Sequence, residues 1–269
     1  MANPLSKLFK KKSDKKRKRP SVPEGSRYYV IGDIHGRLDL YKALIKAIEK
    51  DDAKHAAADT QVVLLGDLVD RGPDSAGVIA KTRKWRKSRT VRVLAGNHEE
   101  MFLQAFKKQE VLRHFLKHGG RETILSYGIS KKAFNALTLD ELFAKLPTLV
   151  PKKDREFLED FEDMIIAGDY LFVHAGIDPR VPIDAQKRSD LRWIRERFLD
   201  HDGTLEKVVV HGHTIFDKVM DCGNRIGIDT GAFRSGVLTA LVLEGDTRRV
   251  IQVSDAGGKI EVLHSDGKR

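Results

Sequence analysis

The chain has 269 residues, of which 41% are hydrophobic, so it is long enough to bury a substantial core in one large domain. Its single cysteine excludes an internal disulfide, and no apolar run approaches the roughly 20 residues of a membrane-spanning helix. The N-terminus carries charges but lacks the apolar core of a signal peptide, so we expect a cytoplasmic protein.

The formal charge of +10 lies almost entirely at one end of the chain. Residues 1–20 hold nine Lys or Arg and one Asp, so the rest of the chain is nearly neutral. We expect residues 1–24 to form a basic, disordered tail. Such a tail either contacts nucleic acid or an anionic membrane, or it only aids solubility.

Five short apolar runs, each followed by glycine and polar residues, predict strands that are covered on both faces. They are YYVIGDIHG (28–36), VVLLGDLVDRG (62–72), VRVLAGNHE (91–99), YLFVHAG (170–176) and KVVVHGHT (207–214). Helical patterns at 38–50 and 75–85 follow the first two runs. The β-α-β alternation predicts an α/β (α+β) chain with a sheet layered between helices.

Residues 99–166 have a helical pattern and predict an insertion between the third and fourth strands, where it would form one wall of a cleft. Beyond this insertion, RIGIDTGA, SGVLTALVLEG and TRRVIQVSD alternate enough to predict strands that complete a second sheet. Residues 254–269 contain GG and SDG and predict a C-terminal tail.

Polar residues follow all five predicted strands. They are Asp33, His35, Asp67, Asp70, Asn97, His98, His174, His211 and His213. One such residue alone is more often a helix cap or a solvated side chain than a metal ligand. Five strand ends of this kind favour a metal site, and mixed Asp, His and Asn ligation suits Mn²⁺, Fe²⁺ or Zn²⁺. The number of ligands exceeds the need of one ion, so two metals are the economical interpretation.

The motifs GDIHG, GDLVDRG, GNHE, HAG and GHT, in that order between residues 27 and 235, resemble those of the calcineurin-like metallophosphoesterases, specifically the phosphoprotein phosphatase branch. The segment FLKHGGRETILSYG after GNHE is similar to bacterial and phage phosphatases and to symmetrical diadenosine tetraphosphatases. The resemblance implies a central β-sandwich flanked by helices, with residues 25–253 as the catalytic domain.

The resemblance also implies a set of ligands for two divalent ions, with Mn²⁺ preferred over Fe or Zn. It places Asp33, His35 and Asp67 on one ion, and Asp67, Asn97, His174 and His213 on the other. Asp67 would bridge the two ions, and Asn97 would also contact the substrate. His211, in the last positions of its strand, is expected to be packed or to lie behind the ligands.

Further roles follow from the same resemblance. His98 corresponds to a general acid, and Asp70 would hold its other ring nitrogen. Arg71 would clamp phosphate oxygens. A second phosphate arginine is expected in LRWIRERF, where Arg195 is preferred to Arg192.

The predicted activity is phosphomonoester hydrolysis by direct attack of a metal-bridging hydroxide. A serine/threonine protein phosphatase is the first hypothesis, and a bis(5'-nucleosyl)-tetraphosphatase that hydrolyses diadenosine tetraphosphate is the alternative. A non-enzymatic RNA- or membrane-binding module with a basic tail is the third. Asp229 and Gly231 in GIDTGA are expected to shape the floor of the site.

Overall fold

A computed structural model describes residues 19–255 and 258–266 of the chain. Most of the expected basic tail, residues 1–18, lies outside the described residues, so its predicted contacts with nucleic acid or membrane lie outside them too. Within the described ranges, every helix falls short of the length and apolar character needed to cross a bilayer.

The strands form two sheets. In chain order they are β1 (Ser26–Ile31), β2 (Asp59–Leu64), β3 (Thr90–Val93), β4 (Met164–Ala167), β5 (Tyr170–Val173), β6 (Val208–His211), β7 (Met220–Asp221), β8 (Arg225–Gly227), β9 (Val237–Glu244), β10 (Thr247–Ser254) and β11 (Glu261–Asp266). The first sheet has the order β11-β10-β9-β1-β2-β3, and β1, β2 and β3 run parallel. The second has the order β4-β5-β6-β8-β7, and β5, β6 and β8 run parallel.

The helices cover the outer faces of both sheets. They are α1 (Leu38–Asp52), α2 (Ser75–Trp85), α3 (Asn97–Ala105), α4 (Gln109–Phe115), α5 (Arg121–Ser126), α6 (Lys131–Asn135), α7 (Leu139–Leu149), α8 (Lys152–Glu159), α9 (Arg188–Trp193), α10 (Glu196–Leu199) and α11 (Ala232–Ser235). A π-helical turn, Leu116–Gly120, joins α4 to α5, and a short 3₁₀ turn, Ile183–Ala185, precedes α9. Helices α1–α8 pack on the first sheet, and α9 and α10 pack on the second.

Strand β1 shows why the predicted strands lack polar alternation. Tyr29 and Ile31 face the core beneath the helices, whereas Tyr28 and Val30 face the core between the two sheets. All four are buried, because successive strand residues point to opposite faces and both faces are covered. The expected β-sandwich flanked by helices is therefore confirmed.

The expectation that the strands after His213 all complete a second sheet is wrong for β9 and β10. Strand β9 pairs antiparallel with β1, and β10 pairs with β9, so both extend the first sheet. The six central residues of VLTALVLE are buried, which suits a strand that is covered on both faces in the middle of a sheet. Of the three predicted strands, β8 alone joins the second sheet.

The expectation of a C-terminal tail from residue 254 does not hold for residues 261–266. This segment forms β11 and pairs antiparallel with β10 from Arg249 to Ser254. Val262 and Leu263 are exposed, so the segment lacks the buried apolar face by which a strand is detected in sequence. Its strand conformation depends on backbone hydrogen bonds that the edge of β10 offers.

The expected helical insertion is present with shifted ends. Helices α3 to α8 cover residues 97–159, and β4 begins at Met164, so the end of the predicted insertion belongs to the second sheet. Leu94, just after β3, forms a parallel bridge with Glu162. The helical segment thus connects β3 of the first sheet to β4 of the second.

Candidate metal centre and general-acid pair

The predicted ligands lie at one end of the sandwich, in the loops that follow the carboxyl ends of five strands. Asp33 and His35 follow β1, Asp67 follows β2, Asn97 begins α3 after β3, His174 follows β5, and His213 follows β6. Residues at the carboxyl ends of parallel strands meet at the same edge of a sheet. Because β1–β3 belong to one sheet and β5 and β6 to the other, both sheets contribute to one site.

Two groups of side chains within this site have the spacing of a metal centre. His35, Asp67 and His98 form one group, and Asp67, His174 and His213 form the other, with the ligand atoms of each group within 4.8 Å of one another. Asp67 belongs to both: its Oδ2 lies 3.6 Å from His35 Nε2, and its Oδ1 lies 3.5 Å from His174 Nε2. A carboxylate placed in this way can bridge two cations.

The backbone of the site is strained at five residues. His35, Asp67, Asp70, Arg71 and His213 have φ values of 45°, 50°, 73°, 67° and 62°, and they are the non-glycine residues with positive φ in the described part of the chain. Such conformations cost on the order of 1–3 kcal/mol each and persist where the surrounding structure enforces them. All five belong to the predicted set of functional residues.

Two histidines are held by backbone carbonyl groups through Nδ1, so that Nε2 faces the site. His35 Nδ1 donates to the carbonyl of Val69 at 2.8 Å, and His174 Nδ1 donates to the carbonyl of Leu65 at 2.8 Å. A carbonyl oxygen only accepts, so Nδ1 carries the proton and the Nε2 lone pair faces Asp67. Burial lowers the pKa of both rings, and it lowers that of His213 to about 3, so these imidazoles are neutral, as metal ligands must be.

Asn97, Asp33 and His213 direct further oxygen and nitrogen atoms into the site. Asn97 Oδ1 lies 2.9 Å from His174 Nε2 and 2.8 Å from His213 Nδ1. Asp33 Oδ1 and His213 Nε2 are buried and have no hydrogen-bond partner among the described residues. Buried polar atoms are normally satisfied, so a converging set of oxygen and nitrogen lone pairs fits divalent cations.

The carboxyl groups concentrate negative charge. Burial raises the pKa of Asp33 well above its ordinary range, and the charges of Asp229 and Asp67 raise it further. Burial also raises the pKa of Asp229 to about 6. Burial opposes ionisation of Asp67 as well, but electrostatic contacts, including the one with the His98 ring, hold its pKa well below its ordinary range. Divalent cations are the usual means of neutralising such a cluster.

His98 and Asp70 form a buried pair beside the two groups. His98 Nδ1 donates to Asp70 Oδ2 at 2.6 Å, so the opposite ring nitrogen, Nε2, faces the site. Burial alone would lower the pKa of His98, but the charges of Asp67 and Asp70 outweigh burial and raise it. The ring is thus oriented and biased toward its protonated form, as a general acid requires.

Arg71 places its guanidinium between two of the histidines. Its Nη1 donates to His35 Nε2 at 2.8 Å, and its Nη2 lies 2.9 Å from His98 Nε2, which accepts from it only when the His98 ring is neutral. The ring of Phe233 lies 4.7 Å from the guanidinium carbon and holds its flat face by a cation–π contact. The planar fork of donors therefore faces the first ligand group.

The two candidate arginines after His174 differ in their partners. Arg192 donates to Asp163 at 2.7 Å and to Glu100 at 3.3 Å, so its charge is already paired. Arg195 is exposed, and its guanidinium forms neither a hydrogen bond nor an ion pair with the residues that the structure describes. Its charge contributes to the lowered pKa of His213, which places it near the second ligand group.

Glu99 was not among the predicted site residues, although it is fully buried below the site. Its carboxylate accepts the backbone N–H groups of Gly96, Asp67, Leu68 and Val69 at 2.7 to 3.3 Å. These four contacts tie the start of α3 to the loop that carries Asp67. Glu99 is the last residue of the GNHE motif, but the motif does not show that its side chain is buried and anchors the backbone.

Two glycines of the motifs are required by close approach to the ligands. A Cβ atom on Gly96 would lie 2.1 Å from Asp67 Oδ1, and one on Gly212 would lie 2.0 Å from Asp33 Oδ1. A side chain at either position would collide with a carboxylate oxygen, which explains the glycines of GNHE and HGH.

His211 is packed behind the site. It is buried between the rings of Phe198 and Phe216, and burial lowers its pKa to about 4.

The expected floor of the site is present. Asp229 is buried, accepts the backbone N–H of Gly231 at 2.8 Å and lies beside Asp33. His35 packs edge-to-face against Phe233 at 5.3 Å between ring centroids. Phe233, in the short helix α11, is a second residue that the sequence analysis did not single out, because a single aromatic residue has no chemical signature.

Comparisons with known proteins agree with the geometry. The sequence profile of calcineurin-like phosphoesterases matches residues 26–232. The chain is 30% identical over 217 residues to serine/threonine-protein phosphatase 1 of Salmonella typhimurium, covering 78% of this chain and 89% of that protein. It is 27% identical over 232 residues to the asymmetrical bis(5'-nucleosyl)-tetraphosphatase PrpE of Oceanobacillus iheyensis, covering 78% and 86%.

A crystal structure of a candidate diadenosine tetraphosphatase superposes with a TM-score of 0.57 at 20% sequence identity, covering 93% of this chain and all of that one. At this identity the likeness concerns the fold. The predicted resemblance and the predicted enzymatic class are confirmed by the family match and by the phosphatases among the relatives. The chain belongs to the calcineurin-like phosphoesterase family and is a metallophosphoesterase, a hydrolase of phosphoester bonds.

Proposed function

We propose that the protein is a serine/threonine protein phosphatase that uses two divalent metal ions. The observation that carries this proposal is the buried His98–Asp70 pair, which faces Arg71 and the shared carboxylate Asp67. A phosphoserine or phosphothreonine ester has a poor leaving group, and an oriented acid is what its hydrolysis needs. The relative from Salmonella is named for this activity.

The metal ligands are proposed residue by residue. One ion would be held by Asp33, His35 and Asp67, and the second by Asp67, Asn97, His174 and His213. The Nε2 lone pairs of His35 and His174, which face Asp67, and the unpartnered Oδ1 of Asp33 support this assignment. Mn²⁺ suits the mixed oxygen and nitrogen ligands. When bound, the ions would neutralise phosphate charge and lower the pKa of a coordinated water.

The side chains around the ions bind and orient the phosphate. Arg71 presents two donors to phosphate oxygens in place of its present acceptors on His35 and His98. Arg195, exposed and unpaired within the described residues, supplies a second guanidinium from the rim, whereas Arg192 is held by acidic partners. Asn97 adds an amide group at the substrate side of the second ligand group.

His98 supplies the proton for the departing alkoxide. Asp70 holds Nδ1–H, so the nitrogen that faces the phosphate is Nε2, and the proton moves from Nε2 to the leaving oxygen. The imidazole is left neutral and still hydrogen-bonded to Asp70. Release of the alcohol is thus coupled to a ring whose orientation does not change.

Hydrolysis of a dinucleoside tetraphosphate is the second candidate, and one feature favours it. Trp193 is 40% exposed and lines a surface pocket of about 310 Å³ together with Arg195. An exposed indole beside an arginine can stack on a base while the arginine binds phosphate. The relative from Oceanobacillus is named as a tetraphosphatase.

The test is an initial-rate comparison on two substrates. Metal-stripped protein, with and without added Mn²⁺, is assayed on a phosphoserine peptide and on diadenosine tetraphosphate. We expect Mn²⁺-dependent phosphate release with the higher kcat/KM on the peptide. A higher kcat/KM on the dinucleotide would replace the first proposal with the second, and in that case Trp193→Ala should raise KM for the dinucleotide. No turnover of either substrate would contradict both.

A further inference from the structure

Asp70, which orients His98, is itself held by hydroxyl groups from two different helices, one at its carboxylate and backbone and one at its backbone alone. Thr123 Oγ1 lies 2.6 Å from Asp70 Oδ1, and the backbone N–H of Asp70 donates to Thr123 Oγ1 at 2.8 Å and to Ser75 Oγ at 3.0 Å. The two hydroxyls are 2.9 Å apart. Thr123, Ser75 and Asp70 are all buried, so these contacts are shielded from water.

The direction of the protons in this cluster can be assigned. An ionised carboxylate only accepts, so Thr123 donates its hydroxyl proton to Asp70 Oδ1. The proton of the contact between hydroxyls must then come from Ser75, which donates to Thr123. On the other side, His98 donates to Asp70 Oδ2. Each oxygen of the Asp70 carboxylate therefore has one donor, and the two donors fix its plane.

Thr123 lies on α5, within the helical segment between the two sheets and 53 residues from Asp70 along the chain. This segment also holds Arg71, whose backbone N–H donates to the carbonyl of Gly119 at 3.1 Å. The approach is close, because a Cβ on Gly119 would lie 2.5 Å from Arg71 N. Asp70 and Arg71 both have strained positive φ, and the helical segment contacts both.

The backbone of Thr123 is held by a second contact between α5 and α2. Ser126 Oγ donates to the carbonyl of Thr123 at 2.6 Å, and the backbone N–H of Ala76, at the start of α2, donates to Ser126 Oγ at 3.0 Å. The first turn of α2 and the helix α5 are therefore joined by hydrogen bonds. This junction supports the backbone that carries the threonine hydroxyl.

We propose that Thr123 is a positioning residue for proton donation: its hydroxyl fixes the carboxylate plane of Asp70 and, through it, the direction of His98 Nε2. The inference rests on the proposed role of His98 as general acid. It makes the helical segment part of the acid machinery, in addition to a wall of the cleft. Without the hydroxyl, the carboxylate keeps one donor side chain and can rotate, so the imidazole loses its alignment.

The test uses Thr123→Val, which keeps the shape of the side chain and removes the hydroxyl, and Thr123→Ser, which restores the hydroxyl. Each is assayed with Mn²⁺ on a phosphoserine peptide and on p-nitrophenyl phosphate, whose leaving group needs no proton. Thr148→Val is the matched control, because it makes the same side-chain change at an exposed helical threonine, whose hydroxyl donates to the carbonyl of Lys145.

In Thr123→Val we expect kcat on the peptide to fall about tenfold or more, with a change of less than about threefold on p-nitrophenyl phosphate and an unchanged KM for both. Thr123→Ser and Thr148→Val should keep the parent rates. Thr123→Ala, which also lacks the hydroxyl, must show the same difference between substrates, and it replaces Thr123→Val in the test if that variant does not fold. An equal loss on both substrates, or no loss on the peptide, would overturn the positioning role.

The variant His98→Asn separates this proposal from the proposed function. If His98→Asn loses rate mainly on the peptide and Thr123→Val does not, the general acid stands and the positioning role fails. If neither variant discriminates between the two substrates, the general-acid assignment fails and the positioning role fails with it. Metal content is measured in each preparation, because loss of metal would lower both rates together and count against the proposal.

Discussion

His98 Nε2 lies 3.9 Å from Asp67 Oδ2, so distance alone would place His98 among the metal ligands. Its contacts favour a different chemistry. His98 is tied to a carboxylate, Asp70, whereas His35 and His174 are tied to neutral carbonyl oxygens. A carboxylate stabilises the protonated ring, and a carbonyl fixes a neutral tautomer. The hydrogen-bond partner of Nδ1 therefore distinguishes His98, the proposed acid, from His35 and His174, the proposed ligands.

We expect His98→Asn to keep its metal content and to lose activity on a phosphoserine peptide by about 10²- to 10⁴-fold, the usual contribution of a general acid. The loss on p-nitrophenyl phosphate should be much smaller, because that leaving group departs without a proton. Rates on both substrates and the bound metal are the measurements. A parent-like rate on the peptide would show that another group donates the proton.

Glu99 acts on the site through the backbone, since its carboxylate accepts four N–H groups from the Asp67 loop and from Gly96. Glu99→Gln replaces one of these acceptor oxygens with an NH₂ group that faces donors. We expect a loss of about 1–3 kcal/mol in the free energy of unfolding and weaker metal binding. Urea unfolding and metal titration measure the two effects. Glu100→Gln is the control, and equal effects in both variants would contradict the anchoring role.

The residues that sequence analysis could find are those that directly follow an apolar run. Asp67 follows VVLLG and His174 follows YLFV, so their chemistry and their place in the fold are visible together. Thr123 has no such context, because its partner is 53 residues away and its helix shows only an apolar pattern. Residues that support the site through long-range contacts therefore escape a local pattern.

At the scale of elements, the strands with continuous apolar runs were predictable, and their sheet membership was not. The VLTALVLE segment was recognised as a strand, but nothing in the sequence tells whether β9 pairs with β1 or with β6. Strand β11 was missed, because its pairing with β10 depends on an available edge and not on a buried face. Pairing is a property of the assembled sheet.

Helix α1 is joined to β10 by a buried ion pair with a defined pH dependence. Arg249 donates to both oxygens of Asp51, at 2.9 and 3.0 Å, and Tyr29 donates to Asp51 Oδ2 at 2.7 Å. Burial would raise the pKa of Asp51, but these hydrogen bonds outweigh it and hold the pKa below its ordinary value of 3.8. The pair therefore stabilises the fold above that value, and this contribution is lost as the pH falls through the lower, folded pKa.

We expect Arg249→Met to lower the free energy of unfolding by about 1–3 kcal/mol near neutral pH, because it removes two hydrogen bonds to a charged group. The difference from the parent should shrink as the pH falls below 3.8, the ordinary pKa of Asp51, and should be lost as the pH passes the lower pKa of the folded state. Urea unfolding at neutral and acidic pH measures both values. Lys152→Met, which removes the exposed Lys152–Glu156 pair, should change little. A difference for Arg249→Met that does not vary with pH would show that packing, not charge, accounts for it.

At the scale of the whole molecule, the proposed metal centre connects the two sheets. Asp33, His35, Asp67 and Asn97 come from the first sheet and its loops, whereas His174 and His213 follow strands of the second. The inter-sheet core buries Val30 and Phe172 from opposite sheets, and at the site end Asp67 Oδ1 of the first sheet lies 3.5 Å from His174 Nε2 of the second. Ions bound by ligands from both sheets would therefore stabilise the packing of the sandwich itself.

Metal binding should accordingly raise the thermal stability of the protein. Ligand that binds only the folded state at a hundredfold excess over its Kd adds about 2.7 kcal/mol, so we expect the Tm to rise with the logarithm of Mn²⁺ concentration and to fall on chelation. In Asp67→Asn, which removes the proposed bridge, the rise should nearly vanish and turnover should fall about a hundredfold or more. Thermal scans of both proteins across a Mn²⁺ series measure this. An equal rise in Asp67→Asn would mean that Mn²⁺ binds elsewhere and that Asp67 does not join the two sheets through metal.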